Sequence, residues 1–206
     1  MTVAKILWGL LIIIICFFIV NNASPYFNFE SSSYDSEDIR PFQYVLISHI
    51  LFGIIAILSG PIQFFSYFRV KYPSFHKTLG KVYLFSVLSS SLASIYLAVF
   101  HAIQYKGYFT FGVGLLGLAF AWLCTSGMAY AVILKKNIAQ HREWMIRSYV
   151  VTCGFVVFRI VFGLLEQVFY LPHIDSGNIA AWFSWSIPLL GCEIILQTKK
   201  KSENNK

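Results

Sequence analysis

Long apolar stretches separated by short polar segments dominate the chain. Six such stretches can be drawn, and most approach or exceed the roughly 20 residues that a helix needs to cross a bilayer at about 1.5 Å per residue. They run over residues 4–21, 42–68, 79–104, 109–134, 144–170 and 179–197. The pattern predicts an all-α integral membrane protein, a six-helix transmembrane bundle that forms a single domain over residues 1–198.

Lysine and arginine residues are distributed unevenly between the predicted loops. Thirteen of the 16 fall on one side of the membrane if successive stretches cross it in alternate directions. They are Lys5, Arg69, Lys71, Lys77, Lys81, Lys135, Lys136, Arg142, Arg147, Lys199, Lys200, Lys201 and Lys206. The other side carries only Arg40 and Lys106, and Arg159 lies within a span. Because basic loops stay in the cytoplasm, we predict that both termini are cytoplasmic.

Three polar segments flank the predicted spans. The first apolar stretch resembles a signal peptide, but residues 21–25 after it lack the small-x-small pattern of a cleavage site, so we expect an uncleaved helix. Residues 22–41 contain four acidic residues and are expected to form a solvated outer loop. Residues 199–206 form a basic cytoplasmic tail, which we expect to be disordered near anionic headgroups.

The composition supports a membrane protein and argues against several other classes. Only 12% of the residues are charged, which is about half the share typical of soluble domains. The net charge of +7 is spread over short clusters, which argues against a nucleic-acid partner. The four cysteines lack the spacing of a metal or redox site. No phosphate-binding, dinucleotide-binding or hydrolase motif is present, so the sequence gives almost no support for a hydrolase or an ATP-driven activity.

Four histidines fall into two pairs according to their depth in the predicted spans. His49 lies in the outer half of the second span, about 9 Å from its middle. His101 lies near the outer end of the third span, whereas His76 and His141 lie at the cytoplasmic starts of the third and fifth. Ionisable residues are costly inside a membrane, so they are candidates for function. The orientation predicts an outer pair, His49 with His101, and an inner pair, His76 with His141.

Paired histidines in a helical membrane protein suggest haem as a cofactor. Two imidazoles that face each other can hold a haem iron from both sides, and two stacked pairs would form an electron path across the membrane. A structural role stays open for each histidine. His76, His101 and His141 lie near headgroup level, where histidine costs little, and His49 could hydrogen-bond to a neighbouring helix. His173 lies in a predicted outer loop and is given no role.

Arg159 is the second ionisable residue that stands out within a span. It lies in the outer half of the fifth span, and its charge requires an acceptor or an anion there. Glu166 follows two turns later on the same helix face and could neutralise it near the outer headgroups. Alternatively, Arg159 lines an outer cavity with His49 and holds a haem propionate, a quinone oxygen or an anionic substrate.

Glu193 and Arg147 lie at similar depths in the inner halves of the last two predicted spans. A buried pair between them would join the two helices, which is a structural role. A proton-handling carboxylate at Glu193 is the alternative.

Several segments resemble one bacterial family of predicted membrane proteins, the domain of unknown function 2306. They are His49-x-x-x-Gly53, Gly60-Pro61-Ile62-Gln63-Phe64, Phe75-His76-Lys77-x-Leu79-Gly80-Lys81-Val82-Tyr83, Trp122, Ala129-Tyr130, His141-Arg142-x-Trp144-Met145-Ile146-Arg147-Ser148-Tyr149, Arg159, Trp182-x-x-Trp185 and Glu193. His101 is not part of this pattern. The resemblance implies a fold in the bacterial plasma membrane and no activity. A weaker similarity, in the layout of histidines on consecutive helices, links the chain to the dihaem cytochromes b.

Three functions are compatible with these residues. The leading hypothesis is a redox protein that binds haem b and moves electrons across the membrane to or from a membrane redox partner. Its candidate cofactor-binding residues are His49, His76, His141, His101, Arg159 and Arg147. The second hypothesis is a transporter, or a protein that binds lipid or another small ligand, with an outer cavity at His49 and Arg159. The third is a structural or assembly subunit, and membrane lipids are expected partners in every case.

Overall fold

The computed structural model of the chain describes residues 3–27 and 39–204. All long regular elements in these ranges are helices, and the predicted all-α class is confirmed. They are α1 (Val3–Asn22), α2 (Gln43–Phe64), α3 (Ser66–Lys71), α4 (Pro73–Tyr96), α5 (Phe109–Leu134), α6 (Ile138–Thr152), α7 (Gly154–Gln167) and α8 (His173–Asn204). A π-helical segment, Leu97–Tyr105, follows α4. The acidic residues of the predicted outer loop, from Glu30 to Asp38, lie outside the described residues.

The chain divides into two compact units, Met1–Leu97 and Ala98–Lys206. In the first unit α2 packs along α4, α1 contacts α2, and the short α3 contacts both α2 and α4. In the second unit α5 packs against α6 and α8, and α8 also packs against α6 and α7. The second unit is therefore organised around α8, which contacts each of its other helices.

Five helical stretches in the described ranges are long and apolar enough to cross a membrane. They are Arg40–Phe64, Pro73–Tyr105, Phe109–Leu134, Ile138–Gln167 and His173–Ser202. These stretches correspond to the second to sixth predicted spans. The first predicted span coincides with α1, in which the described apolar part is the shorter stretch Ile12–Asn22. The sixth crossing and the orientation stay predictions.

Three helices extend beyond their predicted apolar stretches because polar residues can also continue a helix. The fifth span begins at Ile138 rather than at residue 144, since Asn137 Oδ1 accepts a hydrogen bond from the Gln140 N–H (3.1 Å) and caps α6. The third begins at Pro73, because proline is well tolerated in a first helical turn. The expected disorder after residue 198 is wrong as far as Asn204, because α8 continues through lysines that favour a helix C-terminus.

Two predicted spans are interrupted. The helix expected over residues 42–68 ends at Phe64, and Phe65 is extended (φ −72°, ψ 118°). Pro61 lacks the N–H that would continue the hydrogen-bond ladder and thereby weakens the last turn. The helix expected over residues 144–170 breaks at Cys153, between α6 and α7. There the Thr152 hydroxyl donates to the Ser148 carbonyl (2.9 Å), a contact that bends helices.

Small and polar residues bring α5 close to its neighbours in the second unit. A Cβ atom placed on Gly114 would lie 2.9 Å from the Ala181 Cβ on α8, so only glycine fits there. Trp122 Nε1 donates to the Thr152 hydroxyl of α6 (2.9 Å). These contacts fix the spacing of α5, α6 and α8, which together form the groove described below.

Candidate functional site

His49 on α2 is held by a reciprocal pair of hydrogen bonds to α4. Its Nδ1 lies 3.0 Å from the carbonyl oxygen of Ser90 and 3.0 Å from the Ser90 hydroxyl. That hydroxyl donates to the His49 carbonyl at 3.0 Å. Because a carbonyl oxygen only accepts, Nδ1 carries the ring proton, and Nε2 of the neutral imidazole keeps its lone pair.

His141 on α6 has the same arrangement within the second unit. Its Nδ1 donates to the backbone carbonyl of Ala129 on α5, at 2.8 Å. In its neutral form this ring would likewise present Nε2 as an acceptor or metal ligand. Metal-bound histidines characteristically donate their other ring N–H to a backbone carbonyl or a carboxylate, which fixes the tautomer and the orientation of the ring.

The other two candidate histidines are held differently. His76 lies in the first turn of α4, where its carbonyl accepts a hydrogen bond from Gln63 Nε2 (3.2 Å). His101 lies in the π-helical segment and stacks on Tyr105 with ring centroids 6.3 Å apart. π-Helical turns are frequent near functional sites, and no feature of the sequence had indicated this one. Each predicted pair combines one histidine from each unit.

The candidate histidines are single donors in the part of the chain that the structure describes. Within residues 3–27 and 39–204, no group of three His, Cys, Asp or Glu side chains could hold a metal ion. Haem iron needs only one or two axial protein ligands, because the porphyrin supplies the other four nitrogens. Single, oriented imidazoles are donors of the kind that a haem would need.

Arg159 is half-buried on α7 and has no ion-pair partner among the residues that the structure describes. Its guanidinium carbon lies 5.9 Å from the centroid of the Phe155 ring, and its Nε is buried without a hydrogen bond. The Arg159–Glu166 pair considered from the sequence is not formed. Glu166 instead accepts a hydrogen bond of 2.6 Å from Nδ1 of His173, the histidine that had been given no role. Arg159 therefore keeps donors for an anionic group.

Arg147 and Glu193 form the ion pair that their depths in the sequence had suggested. Arg147 Nη2 and Nε lie 2.7 and 2.8 Å from the same oxygen, Glu193 Oε2. Arg147 Nη1 lies 3.8 Å from Glu143, and the guanidinium carbon lies 4.7 Å from the centroid of the Trp144 ring. The pair joins α6 to α8 and leaves Arg147 few donors for a haem propionate.

These side chains line an open cavity of about 780 Å³, here called the α6–α8 groove, with one wall from α5. Its lining residues are Thr125, Met128, Gln140, Glu143, Trp144, Arg147, Trp185, Ser186, Leu189, Leu190, Glu193, Gln197 and Lys200. The sequence reasoning missed this groove. The spacing of the lining residues could have indicated it. Those on α6 lie three or four residues apart and so share one helix face, as do most of those on α8.

One family profile matches the chain. It is described as "Predicted membrane protein (DUF2306)" and covers residues 46–196, which is most of the sequence. The match includes every candidate residue predicted from the sequence, from His49 on α2 to Glu193 on α8. No curated protein and no solved structure matches the chain.

Proposed function

The chain belongs to the DUF2306 family of predicted membrane proteins, and from this premise we propose that it binds haem b and carries electrons across a bacterial plasma membrane. Membership of this family indicates a membrane protein with several apolar helices, but it indicates no particular activity. The proposed chemistry depends on two candidate ligands, His49 of α2 and His141 of α6.

The observation that carries the proposal is the shared hydrogen-bond arrangement of His49 and His141. Each ring donates its Nδ1 proton to a carbonyl of a neighbouring helix, at 3.0 and 2.8 Å respectively. A histidine with only a structural role could donate through either nitrogen. Both rings donate through Nδ1, which leaves Nε2 unprotonated. Neutral imidazole is a good ligand of haem iron.

The chain's own groups would orient the cofactor and balance its charge. Ser90 and the Ala129 carbonyl restrain the two imidazoles, so little side-chain entropy is lost when Nε2 binds iron. The free donors of Arg159 suit a carboxylate such as a propionate. The apolar helices exclude water, and bound haem would supply a centre that accepts and releases one electron.

The test is the absorption spectrum of the protein purified from haem-replete cells. We expect Soret and α bands that shift when the oxidised sample is reduced, and about one haem or more per chain. Extracts of cells that lack the gene, purified in the same way, provide the baseline. A colourless protein from haem-replete cells would contradict the proposal.

We also propose that both termini face the cytoplasm. The support is the clustering of basic residues on one side of the predicted spans, including the three lysines of the last turns of α8. A green fluorescent protein fused to the C-terminus should therefore fluoresce, and alkaline phosphatase fused there should be inactive. Active phosphatase with a dark fluorescent fusion would reverse the assignment.

A further inference from the structure

The α6–α8 groove changes character along its length. At one end it is lined by Gln140, Glu143 and Lys200, which are polar and lie at the ends of their helices nearest the α5–α6 turn. About 16 Å further along α8, at 1.5 Å per residue, Leu189 and Leu190 make the lining apolar. A groove with a polar end and an apolar remainder suits a molecule with a polar head and a hydrocarbon chain.

The apolar part of the groove is open on the side that would face lipid. Leu190 is 59% exposed and Met128 is 42% exposed, and both lie within helical stretches apolar enough to cross a membrane. In a bilayer such side chains contact acyl chains rather than water. An occupant could therefore enter sideways from the leaflet whose headgroups lie at the polar end.

The polar end is electrically balanced, which favours one kind of headgroup. It carries two positive and two negative side chains, Lys200 and Arg147 with Glu143 and Glu193. A headgroup with a net negative charge gains no net attraction from this set. A zwitterionic headgroup can satisfy one positive and one negative partner at once.

The contact between Lys200 and Glu143 shows where a zwitterion fits. Arg147 and Glu193 are joined by two short bonds, whereas Lys200 Nζ lies 3.6 Å from Glu143. The side chains of this longer pair are 52% and 30% exposed, so they are accessible. Little stability is lost when such an exposed pair opens, because exposed ion pairs are weak in solvent.

We propose that the α6–α8 groove binds a zwitterionic aminophospholipid, of the phosphatidylethanolamine type, from the adjoining leaflet. The lipid phosphate accepts hydrogen bonds from Lys200, and its ammonium group donates to Glu143. One acyl chain lies along Leu189, Leu190 and Met128. This site is separate from the proposed haem ligands, and it does not depend on whether the protein carries electrons.

The test is native mass spectrometry of the full chain released from nanodiscs with equal amounts of phosphatidylethanolamine, phosphatidylcholine and phosphatidylglycerol, all with identical acyl chains. Phosphatidylcholine keeps the charges but has no ammonium N–H, and phosphatidylglycerol is anionic. We expect phosphatidylethanolamine to be retained at least about fivefold over either lipid. Equal retention of the three, or preference for either of the others, would overturn the proposal.

Two variants locate the site, and a third is the matched control. Lys200→Gln and Glu143→Gln should each lower phosphatidylethanolamine retention about tenfold, because each removes one charge-assisted hydrogen bond. Lys199→Gln removes the same charge from a neighbouring exposed position outside the groove and should change retention less than about twofold. An equal loss in the Lys199 and Lys200 variants would refute this site. The comparison of lipids in the unmodified chain holds even if a variant folds poorly.

Discussion

Replacing Glu193 by leucine is expected to destabilise the protein by about 3 kcal/mol. The side chain of Arg147 is only 9% exposed, so it would keep its charge in an apolar environment without its principal acceptor. Removal of one partner from a buried pair typically costs about 3–5 kcal/mol. The lower end of that range applies here, because the Glu193 side chain is 41% exposed and Glu143 remains near Arg147.

The double variant Arg147→Met with Glu193→Leu should recover most of that loss. Replacing a buried ion pair by apolar residues of similar volume costs little stability, because the desolvation penalties of both charges disappear together with their attraction. Equilibrium unfolding of the chain in mixed micelles, followed by circular dichroism, measures the free energies. Glu166→Leu is the control, since its partner His173 is 80% exposed and such pairs contribute less than about 1 kcal/mol. A double variant as unstable as Glu193→Leu alone would show that Arg147 has another role.

Replacing either His49 or His141 by alanine is expected to lower the haem b bound per chain by about half, because the two residues lie at different depths and each is proposed to hold a separate haem. The loss follows because each variant removes an imidazole whose Nε2 is proposed to bind iron. The measurement is the reduced-minus-oxidised spectrum of each purified variant, normalised to protein concentration. Circular dichroism of the same samples distinguishes loss of ligand from loss of fold.

Two further variants sharpen the interpretation of this experiment. His173→Ala removes a histidine that bonds to Glu166 near the α7–α8 turn, and it should retain the haem content of the unmodified chain. Ser90→Ala removes a hydroxyl but keeps the carbonyl that accepts from His49, so the variant should retain most of its haem. Full haem content in both the His49 and His141 variants would exclude these residues as ligands.

The apolar spans could be predicted from the sequence because one simple requirement governs them. A helix in lipid satisfies its own backbone hydrogen bonds, so only length and hydropathy decide where it forms. α5, for example, has the same bounds, Phe109–Leu134, as the predicted stretch. The start of α6 was missed by six residues because its first turns are polar, and the cap at Asn137 determines it.

Side-chain partners were less predictable than helices. Arg147 and Glu193 were expected to pair because their depths agree and few other charges lie at that level. Arg159 and Glu166 share one face of a helix, yet Glu166 bonds to His173, which approaches it across the α7–α8 turn. The α6–α8 groove was missed because it depends on how three helices are rotated about their axes. The sequence provided their depths and faces but not their relative rotation.

Transmembrane electron transfer in proteoliposomes tests the proposed function most directly. Vesicles would enclose ascorbate, which does not cross the bilayer, with ferricyanide outside and a protonophore to discharge the membrane potential. The fall in ferricyanide absorbance gives the rate of electron transfer. We predict that the unmodified chain reduces ferricyanide faster than protein-free vesicles do, and that the His49→Ala and His141→Ala variants do not. A rate for the unmodified chain equal to that of protein-free vesicles would contradict the proposed function.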